Sequence, residues 1–246
     1  MKETRVIMGM PIEIEIVGGM SDVFTAAFDY LSAVDRRFST YKDDSEISRI
    51  NRGELTLATA SEEMKEVFAL AEKTKKETNG YFDIHRPGGH TDPSGIVKGW
   101  AIRNTARLIH EAGFENYLVN AGGDIASSGR NAEGKDWSVG IRNPFNINEI
   151  IKVVYPRGKG IATSGSYIRG DHIYNPHCPE EKLREIVSIT VIGPDVLEAD
   201  RFATAAFAMG RAGIAFTEEL SGFEGYAIDA TGIATLTNGF GTYTKL

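Results

Sequence analysis

The order of strand-like and helix-like patterns along the chain is the feature that most constrains its fold. Near the N-terminus, Ile12, Ile14 and Ile16 alternate with glutamates, which is the period of a strand with one buried face. Because strand and helix patterns come in mixed runs and not in a regular βαβ alternation, we predict an α+β fold with mostly antiparallel sheets covered by helices. Amphipathic helices are predicted at Ser21, near Ser61, after Gly95 and near Asp200, and further strands over residues 117–120, 137–141, 150–155, 186–192, 226–229, 233–236 and 243–246.

Length, composition and charge limit the class of protein to which this chain can belong. The 246 residues are 41% apolar and 25% charged, so we predict a single compact domain over residues 1–246, or two packed subdomains. The 27 basic and 34 acidic side chains give a net charge of −7, which argues against nucleic acid as a partner. No apolar run approaches the ~20 residues that a membrane span needs. Cys178 is the single cysteine, which excludes an intrachain disulfide.

The absence of four sequence motifs argues against four classes of enzyme, and the N-terminal sequence bears on where the protein is located. The chain has no G-x-x-x-x-G-K-[ST], no G-x-G-x-x-G after a strand, no H-E-x-x-H and no G-x-S-x-G. This argues against a P-loop kinase, a standard Rossmann dehydrogenase, a zincin and an α/β-hydrolase. Residues 1–5 lead into a strand pattern without a secretory signal or a lipid-attachment cysteine. We therefore expect a cytoplasmic protein, or an envelope protein if a lipoprotein signal once preceded this chain.

Glycine clusters mark the segments that could carry chemistry. Residues 92–99 read Asp-Pro-Ser-Gly-Ile-Val-Lys-Gly, a glycine turn at the start of a helix. Unpaired N–H groups and the positive end of the helix dipole favour an anion there, and Lys98 adds a full charge that suits a phosphate. The alternative is that Asp92 or Ser94 caps the helix while Lys98 is solvated.

Two later segments combine small residues with groups that can bind a ligand. Residues 120–124, Asn-Ala-Gly-Gly-Asp, either place an aspartate at a sheet edge or form a simple tight turn. Residues 160–165 contain two hydroxyls that can lie against a ligand. His172 can act as an acid or base near neutral pH, although a lone histidine is more often structural.

Asp200 and Thr204 form a third candidate site. They are four residues apart in a predicted helix, so they share one face, one turn apart. A carboxylate and a hydroxyl placed in this way can hold a hard cation, and they suit Mg²⁺ because this ion usually completes its shell with waters and substrate phosphates. The alternative is that Asp200 caps the helix.

Taken in order, these segments resemble the FAD:protein FMN transferase family, also known as the ApbE family. The similarity is collinear and covers nearly the whole chain. Each motif is weak alone, and the set is specific. The matching motifs are MGM (8–10), FSTY (38–41), DSEISRIN (44–51), GYFDI (80–84), DPSGIVKG (92–99), NAGGD (120–124), GIRNP (140–144), ATSG (162–165), HIYNP (172–176) and AD with AT across 199–204.

The resemblance implies an activity and a set of roles. Members of this family use Mg²⁺ to cleave the FAD pyrophosphate and transfer FMN to a threonine or serine of a partner flavoprotein, releasing AMP. Asp200, Thr204 and the Gly95 carbonyl would then bind Mg²⁺, and the fold would resemble a duplicated, T-fold-like architecture. Lys98 would contact FAD and assist catalysis, and His172 would be the main catalytic candidate. The further positions that would bind FAD are Met8, Tyr41, Tyr81, Phe82, Asp83, Asp92 and Ile173.

Two other functions compete with protein flavinylation. In a FAD pyrophosphatase, water would take the place of the acceptor hydroxyl and the products would be FMN and AMP. An aromatic wall at Tyr41 would limit the access of water and so favours transfer. The other alternative is a flavin-binding protein without catalysis, which the presence of Lys98, His172, Asp200 and Thr204 together argues against.

Overall fold

The secondary structure keeps the predicted order of strands and helices and adds further short elements between them. The computed structural model describes residues 1–166 and 173–244. None of the helices in these two ranges is both long and apolar enough to span a membrane. The strands are β1 (Lys2–Ile7), β2 (Met10–Ile16), β3 (Tyr117–Ala121), β4 (Asp124–Ser128), β5 (Val139–Asn143), β6 (Asn146–Val154), β7 (Gly160–Gly165), β8 (Ile186–Gly193), β9 (Glu224–Asp229) and β10 (Ala234–Leu236). The helices are α1 (Ser21–Phe38), α2 (Glu46–Asn51), α3 (Glu62–Glu77), α4 (Ser94–Glu111), α5 (Val196–Ala208) and α6 (Ala212–Glu219), with short 3-10 turns at Leu57–Thr59 and Phe240–Tyr243.

The described strands form one eight-stranded antiparallel sheet and one two-stranded sheet. The order in the large sheet is β1-β2-β3-β4-β7-β8-β9-β10, and β5 pairs with β6. Each half of the large sheet has the same plan of two strands, a helical segment and two strands, with α1–α4 in the first half and α5–α6 in the second. The α+β prediction is therefore confirmed, and the repeated plan agrees with a duplicated architecture.

The large sheet separates two apolar layers. Ile12, Ile14 and Ile16 of β2 are fully buried against α1, α3 and α4, as their alternation with glutamates predicts. Each buried isoleucine contributes about 1.5–3 kcal/mol from the apolar surface it removes from water. Leu118 and Ile125 face the other way and pack with the β5–β6 hairpin. The helices therefore cover one face of the sheet, which is where the charged segments of α4 and α5 meet.

Several sequence-based assignments of secondary structure need correction. α5 begins at Val196, four residues before the predicted start, because Asp195 is the N-cap and accepts the Glu198 N–H at 3.0 Å. Asp200 therefore lies one turn inside the helix and does not cap it. The strand predicted over 243–246 is wrong where the structure describes it, since residues 240–243 form a 3-10 turn. The small-residue segments that contain β4 and β7 were not predicted as strands, because glycine and serine weaken that signal.

A buried arginine fastens α5 to α3. The Arg201 guanidinium is 2% exposed and donates to Glu198 on its own helix at 3.0 and 2.5 Å. It also donates to Glu77 and, at 3.2 Å, to Thr74, both on α3. Burial lowers the pKa of Arg201, but the two carboxylates outweigh it and the net pKa lies above the usual value. The position of α5 is thus set by charge pairing as well as by apolar packing.

Candidate active site

A cleft opens where α4 and α5 meet one end of the large sheet. It encloses about 920 Å³, including its solvent-filled mouth. The lining residues come from separate parts of the sequence, so the cleft exists only in the folded chain. Among the described residues they are Tyr81, Phe82, Asp83, Ile84, Arg86, Asp92, Ser94, Gly95, Lys98, Gly122, Thr163, Ser164, Gly165, Ile173, Tyr174, Pro176, Asp200 and Thr204.

The two helices contact each other because α4 carries glycine at the crossing. A β-carbon at Gly99 would lie 2.7 Å from Asp200 Cβ and 3.0 Å from Leu197 Cα, which leaves no room for a larger residue. The Gly99 N–H donates to Asp200 Oδ2 at 2.8 Å. A β-carbon at Gly95 would lie 3.4 Å from Thr204 Cγ2. The fold thus places the segment predicted to bind an anion against the segment predicted to bind a cation.

Lys98 lies between two buried carboxylates at the base of the cleft. Its Nζ is 2.5 Å from Asp124 Oδ2 and 3.6 Å from Asp200 Oδ1. Asp124 follows the Gly122–Gly123 turn, in which both glycines have positive φ, and its Oδ1 accepts the Thr163 N–H at 3.0 Å. The tight-turn interpretation of residues 120–124 is therefore correct, and the same turn delivers a carboxylate to Lys98.

The environment of Asp200 favours its neutral form. Burial raises the pKa of Asp200 to about 7, and the Asp124 carboxylate acts in the same direction, while Lys98 and the Gly99 N–H oppose the rise. A bound cation would lower this pKa again, because it stabilises the charged carboxylate. Ionised Asp200 is therefore under electrostatic strain when no metal ion is bound, even with the Lys98 ammonium 3.6 Å away.

This strain predicts a pH dependence of stability in the metal-free protein. The ordinary pKa of this carboxyl is 3.8 and the folded one is about 7. Between these values the folded state keeps a proton that the unfolded state has lost, so the free energy of unfolding falls as pH rises, by at most about 4 kcal/mol. Urea unfolding with a chelator at pH 4.5 and 7.5 measures it. Asp200→Asn should lose this part of the pH slope, and an unchanged slope would contradict the assignment.

The Gly95, Asp200 and Thr204 set fits a weakly held, hard cation. Asp200 and Thr204 share one face of α5 and both line the cleft beside Gly95. Over residues 1–166 and 173–244 no three His, Cys, Asp or Glu side chains form a metal-binding cluster. A single carboxylate, a hydroxyl and a carbonyl do not make a calcium cage, but they match Mg²⁺, which keeps waters and binds substrate phosphates.

The outer cleft is lined by acidic side chains that have cationic partners. Lys75 Nζ is 2.6 Å from Asp83 Oδ2, and Arg86 Nη2 is 2.9 Å from Asp92 Oδ2. Asp92 Oδ1 also accepts the Ser94 N–H at 3.1 Å, while the N-cap position of α4 belongs to Pro93. Neither side chain therefore occupies the cap position that the alternative interpretation of residues 92–99 required.

Arg86 and Tyr174 form one wall of the mouth. The guanidinium of Arg86 lies 5.3 Å from the centre of the Tyr174 ring. The Tyr174 hydroxyl donates to the backbone carbonyls of Asp83 and His85 at 3.3 and 3.2 Å. These bonds join the segment after residue 172 to the segment after α3, so the wall is built from two distant parts of the chain.

Most of the residues predicted from the sequence line this cleft, and three do not lie among the described lining residues. Tyr41 is 96% exposed. Met8 lies half-buried, with positive φ, in the two-residue turn between β1 and β2 and packs against the main core. His172, the predicted catalytic residue, lies outside the described residues. The nine predicted residues that line the cleft are Tyr81, Phe82, Asp83, Asp92, Gly95, Lys98, Ile173, Asp200 and Thr204.

Sequence reasoning assigned no role to Asp124, Arg86 or Tyr174. Asp124 had a usable signal, because an aspartate directly after Gly-Gly at a strand end is placed at the sheet edge. Tyr174 had only its place in the HIYNP motif (172–176), and Arg86 had no signal, since a turn arginine is a common surface residue. Their position in the cleft follows from contacts between segments about 90 residues apart.

Fold and site together define an α+β protein with a cleft at whose base a lysine lies between two buried carboxylates. The ApbE family model matches residues 8–88 and 85–227 of this chain. The chain therefore belongs to the ApbE family.

Individual relatives and solved structures agree with this family. The FAD:protein FMN transferases of Klebsiella pneumoniae and Salmonella typhimurium are 29% and 30% identical over 241 residues, which covers 73% of this chain and 69% of each relative. The flavin transferase ApbE from Vibrio cholerae superposes with a TM-score of 0.85 at 24% identity, covering 99% of this chain and 98% of that one. The ApbE protein of Thermotoga maritima superposes with a TM-score of 0.86 at 18% identity, over 100% and 99% of the two chains. The two structures establish the shared fold.

Proposed function

We propose that this protein is a Mg²⁺-dependent FAD:protein FMN transferase that moves FMN onto a threonine or serine of a partner flavoprotein and releases AMP. The observation that carries the proposal is the contact of α4 with α5, which brings Lys98 Nζ within 3.6 Å of Asp200 at the base of a cleft. Membership of the ApbE family and the names of its curated relatives support flavin transfer. The charged centre supports a pyrophosphate as the group that reacts, because cleavage of that group needs charge neutralisation and positioning above all.

Lys98 and the N-terminus of α4 would bind the pyrophosphate. The lysine side chain is 18% exposed and lines the cleft, so its ammonium can donate to a pyrophosphate oxygen. The positive end of the helix dipole adds to the attraction. When held by Gly95, Asp200 and Thr204, Mg²⁺ would neutralise charge on the pyrophosphate as it breaks.

The transfer step replaces the phosphoanhydride bond of FAD with a phosphoester bond to the acceptor. The acceptor hydroxyl oxygen forms a bond to the flavin-side phosphorus, and the bond from that phosphorus to the bridging oxygen breaks. AMP leaves with the bridging oxygen, and the hydroxyl proton passes to a base. We assign the base to His172, which the resemblance favours, because an imidazole side chain can accept a proton near neutral pH.

Aromatic side chains supply surfaces for the planar rings of FAD. Tyr81, Phe82 and Tyr174 line the cleft. Tyr81 packs edge-on against His177, with ring centres 4.6 Å apart, and a β-carbon at Gly80 would lie 3.3 Å from the His177 ring. Such fixed rings favour stacking of a flat ligand.

Incubation with FAD, Mg²⁺ and a candidate acceptor flavoprotein tests the proposal. AMP release together with flavin covalently attached to the acceptor is the expected result. AMP together with free FMN would instead show a pyrophosphatase, and intact bound FAD would show a binding protein. The pyrophosphatase stays an outcome of this test because the argument against it required Tyr41 in the pocket, and Tyr41 is 96% exposed.

We expect Lys98→Ala to raise the KM for FAD roughly 10- to 100-fold, because a charge-assisted hydrogen bond to the pyrophosphate is worth about 1.5–3 kcal/mol. Steady-state AMP release at varied FAD concentration measures it. Arg107→Ala is the matched control, since Arg107 is an exposed cation on the same helix that pairs with Glu111. Equal KM values for Lys98→Ala and the unmodified protein would place Lys98 outside the ligand site.

A further inference from the structure

When Asp200 is ionised, the charged centre at the base of the cleft has two negative charges and one positive charge among the described residues. Among the described residues the carboxylates of Asp124 and Asp200, 1% and 2% exposed, share the ammonium of Lys98. The ammonium is not placed midway, since its distance is 2.5 Å to Asp124 and 3.6 Å to Asp200. Of these two carboxylates Asp124 is therefore the closer partner of Lys98, and Asp200 is the more distant one.

Asp124 has an anchor that does not depend on Lys98. Its Oδ1 accepts the Thr163 N–H from β7 at 3.0 Å, and its backbone begins β4 in register with Ala121. Lys98 carries its charge on a flexible four-carbon stem. The anchored carboxylate of Asp124 thus sets the position of the Lys98 ammonium, and the lysine does not set the position of the carboxylate.

The two oxygens of Asp200 have different surroundings. Oδ2 accepts the Gly99 N–H at 2.8 Å, and this bond fixes the carboxylate on α5 against α4. Oδ1 faces Lys98 Nζ at 3.6 Å, which is longer than a direct N–H···O hydrogen bond. Oδ1 is therefore the oxygen over which an ammonium and a divalent cation would compete.

We propose that Asp124 is a positioning residue that holds the Lys98 ammonium away from Asp200, so that the Asp200 carboxylate stays available to a divalent cation. This inference rests on the proposed function, in which Asp200 is a Mg²⁺ ligand. The same contact keeps the ammonium at the cleft surface, where it can reach a pyrophosphate. Asp124 therefore keeps the two cations of the site apart.

Charge balance makes the proposal testable through three variants. Asp124→Asn keeps the acceptor for the Thr163 N–H but removes the carboxylate nearest to the Lys98 ammonium, so that Asp200 becomes its nearest carboxylate among the described residues. Lys98→Gln removes the competing ammonium and leaves two carboxylates. The double variant Asp124→Asn, Lys98→Gln removes both charges of the ion pair, so the net charge of the centre equals that of the unmodified protein. No Lys98 ammonium then competes with a divalent cation for the Asp200 carboxylate.

The experiment is titration of each purified full-length protein with Mn²⁺ alone, without FAD, followed by electron paramagnetic resonance of the free ion and repeated with Mg²⁺ by calorimetry. We expect Asp124→Asn to weaken Mn²⁺ binding about tenfold or more, and Lys98→Gln to strengthen it by a similar factor, as unit charges this close predict. The double variant should return to within about threefold of the unmodified protein, because the ammonium that would pair with Asp200 is gone and the net charge of the centre is unchanged.

The return of Mn²⁺ binding in the double variant distinguishes a positioning role of Asp124 from a role as a metal ligand or a purely structural residue. A double variant as weak as Asp124→Asn would overturn the proposal, because it would make Asp124 a direct ligand or a purely structural residue. Mn²⁺ binding by Asp124→Asn equal to that of the unmodified protein would overturn it as well. Absence of any Mn²⁺ binding to the unmodified protein would instead overturn the Mg²⁺ part of the proposed function, and this inference with it. Thermal melting confirms that each variant is folded before titration.

Discussion

Asp200→Asn should lower the rate of AMP release from FAD about 10³-fold, because a metal ion at a pyrophosphate supplies several kcal/mol of charge stabilisation. The amide keeps the size of the side chain and the acceptor for the Gly99 N–H, so the contact between α4 and α5 survives. The remaining activity should depend little on Mg²⁺ concentration. AMP release, measured by chromatography across a range of Mg²⁺ concentrations, checks both expectations.

The matched control for this variant lies on the same helix. Asp195→Asn also replaces one carboxylate of the α5 region by an amide, and asparagine is as good an N-cap as aspartate. Asp195 is not among the described residues that line the cleft, so we expect its variant to keep the unmodified rate. If Asp200→Asn also kept that rate and its Mg²⁺ dependence, Asp200 would not be a metal ligand.

Loss of both carboxylates around Arg201 should destabilise the protein by about 3–5 kcal/mol, because it leaves a buried charge without compensation. The double variant Glu77→Gln, Glu198→Gln does this while keeping the shape of both side chains. The unfolding free energy from urea titration measures the effect. We expect the loss of these two carboxylates to disturb the cleft as well, because Arg201 is adjacent to Asp200 and joins α5 to α3.

The comparison variant is Arg201→Met, which removes the buried charge itself. Glu77 and Glu198 would then be left with side chains 37% and 25% exposed, which water can reach. We therefore expect this single change to cost less, on the order of 1–2 kcal/mol. An Arg201→Met variant less stable than the double glutamine variant would show that packing of the arginine stem, and not its charge, fastens the helix.

Sequence patterns predicted those parts of the molecule that depend on neighbours along the chain. The buried isoleucines of β2, the helix capped by Ser61 and the shared face of Asp200 with Thr204 all follow from backbone periods of 2.0 and 3.6 residues. The predicted start of α5 is about one turn late, because the Asp195 N-cap marks the beginning of the helix and the apolar face from Phe202 onward does not. Asp200 and Thr204 nevertheless lie in the helix and share one face, because their spacing of four residues does not depend on where the helix begins.

The sequence by itself determined the strand and helix order, the glycine turn before Asp124 and the residue types that make a cation or anion site possible. Tertiary structure alone decided that Lys98 pairs with Asp124 more closely than with Asp200, that Arg86 and Tyr174 form a wall, and that Tyr41 points to solvent. The physical reason is the distance along the chain over which each kind of interaction acts. Backbone geometry repeats over a few residues, whereas a salt bridge or a cleft wall depends on where distant segments are brought by the burial of apolar surface.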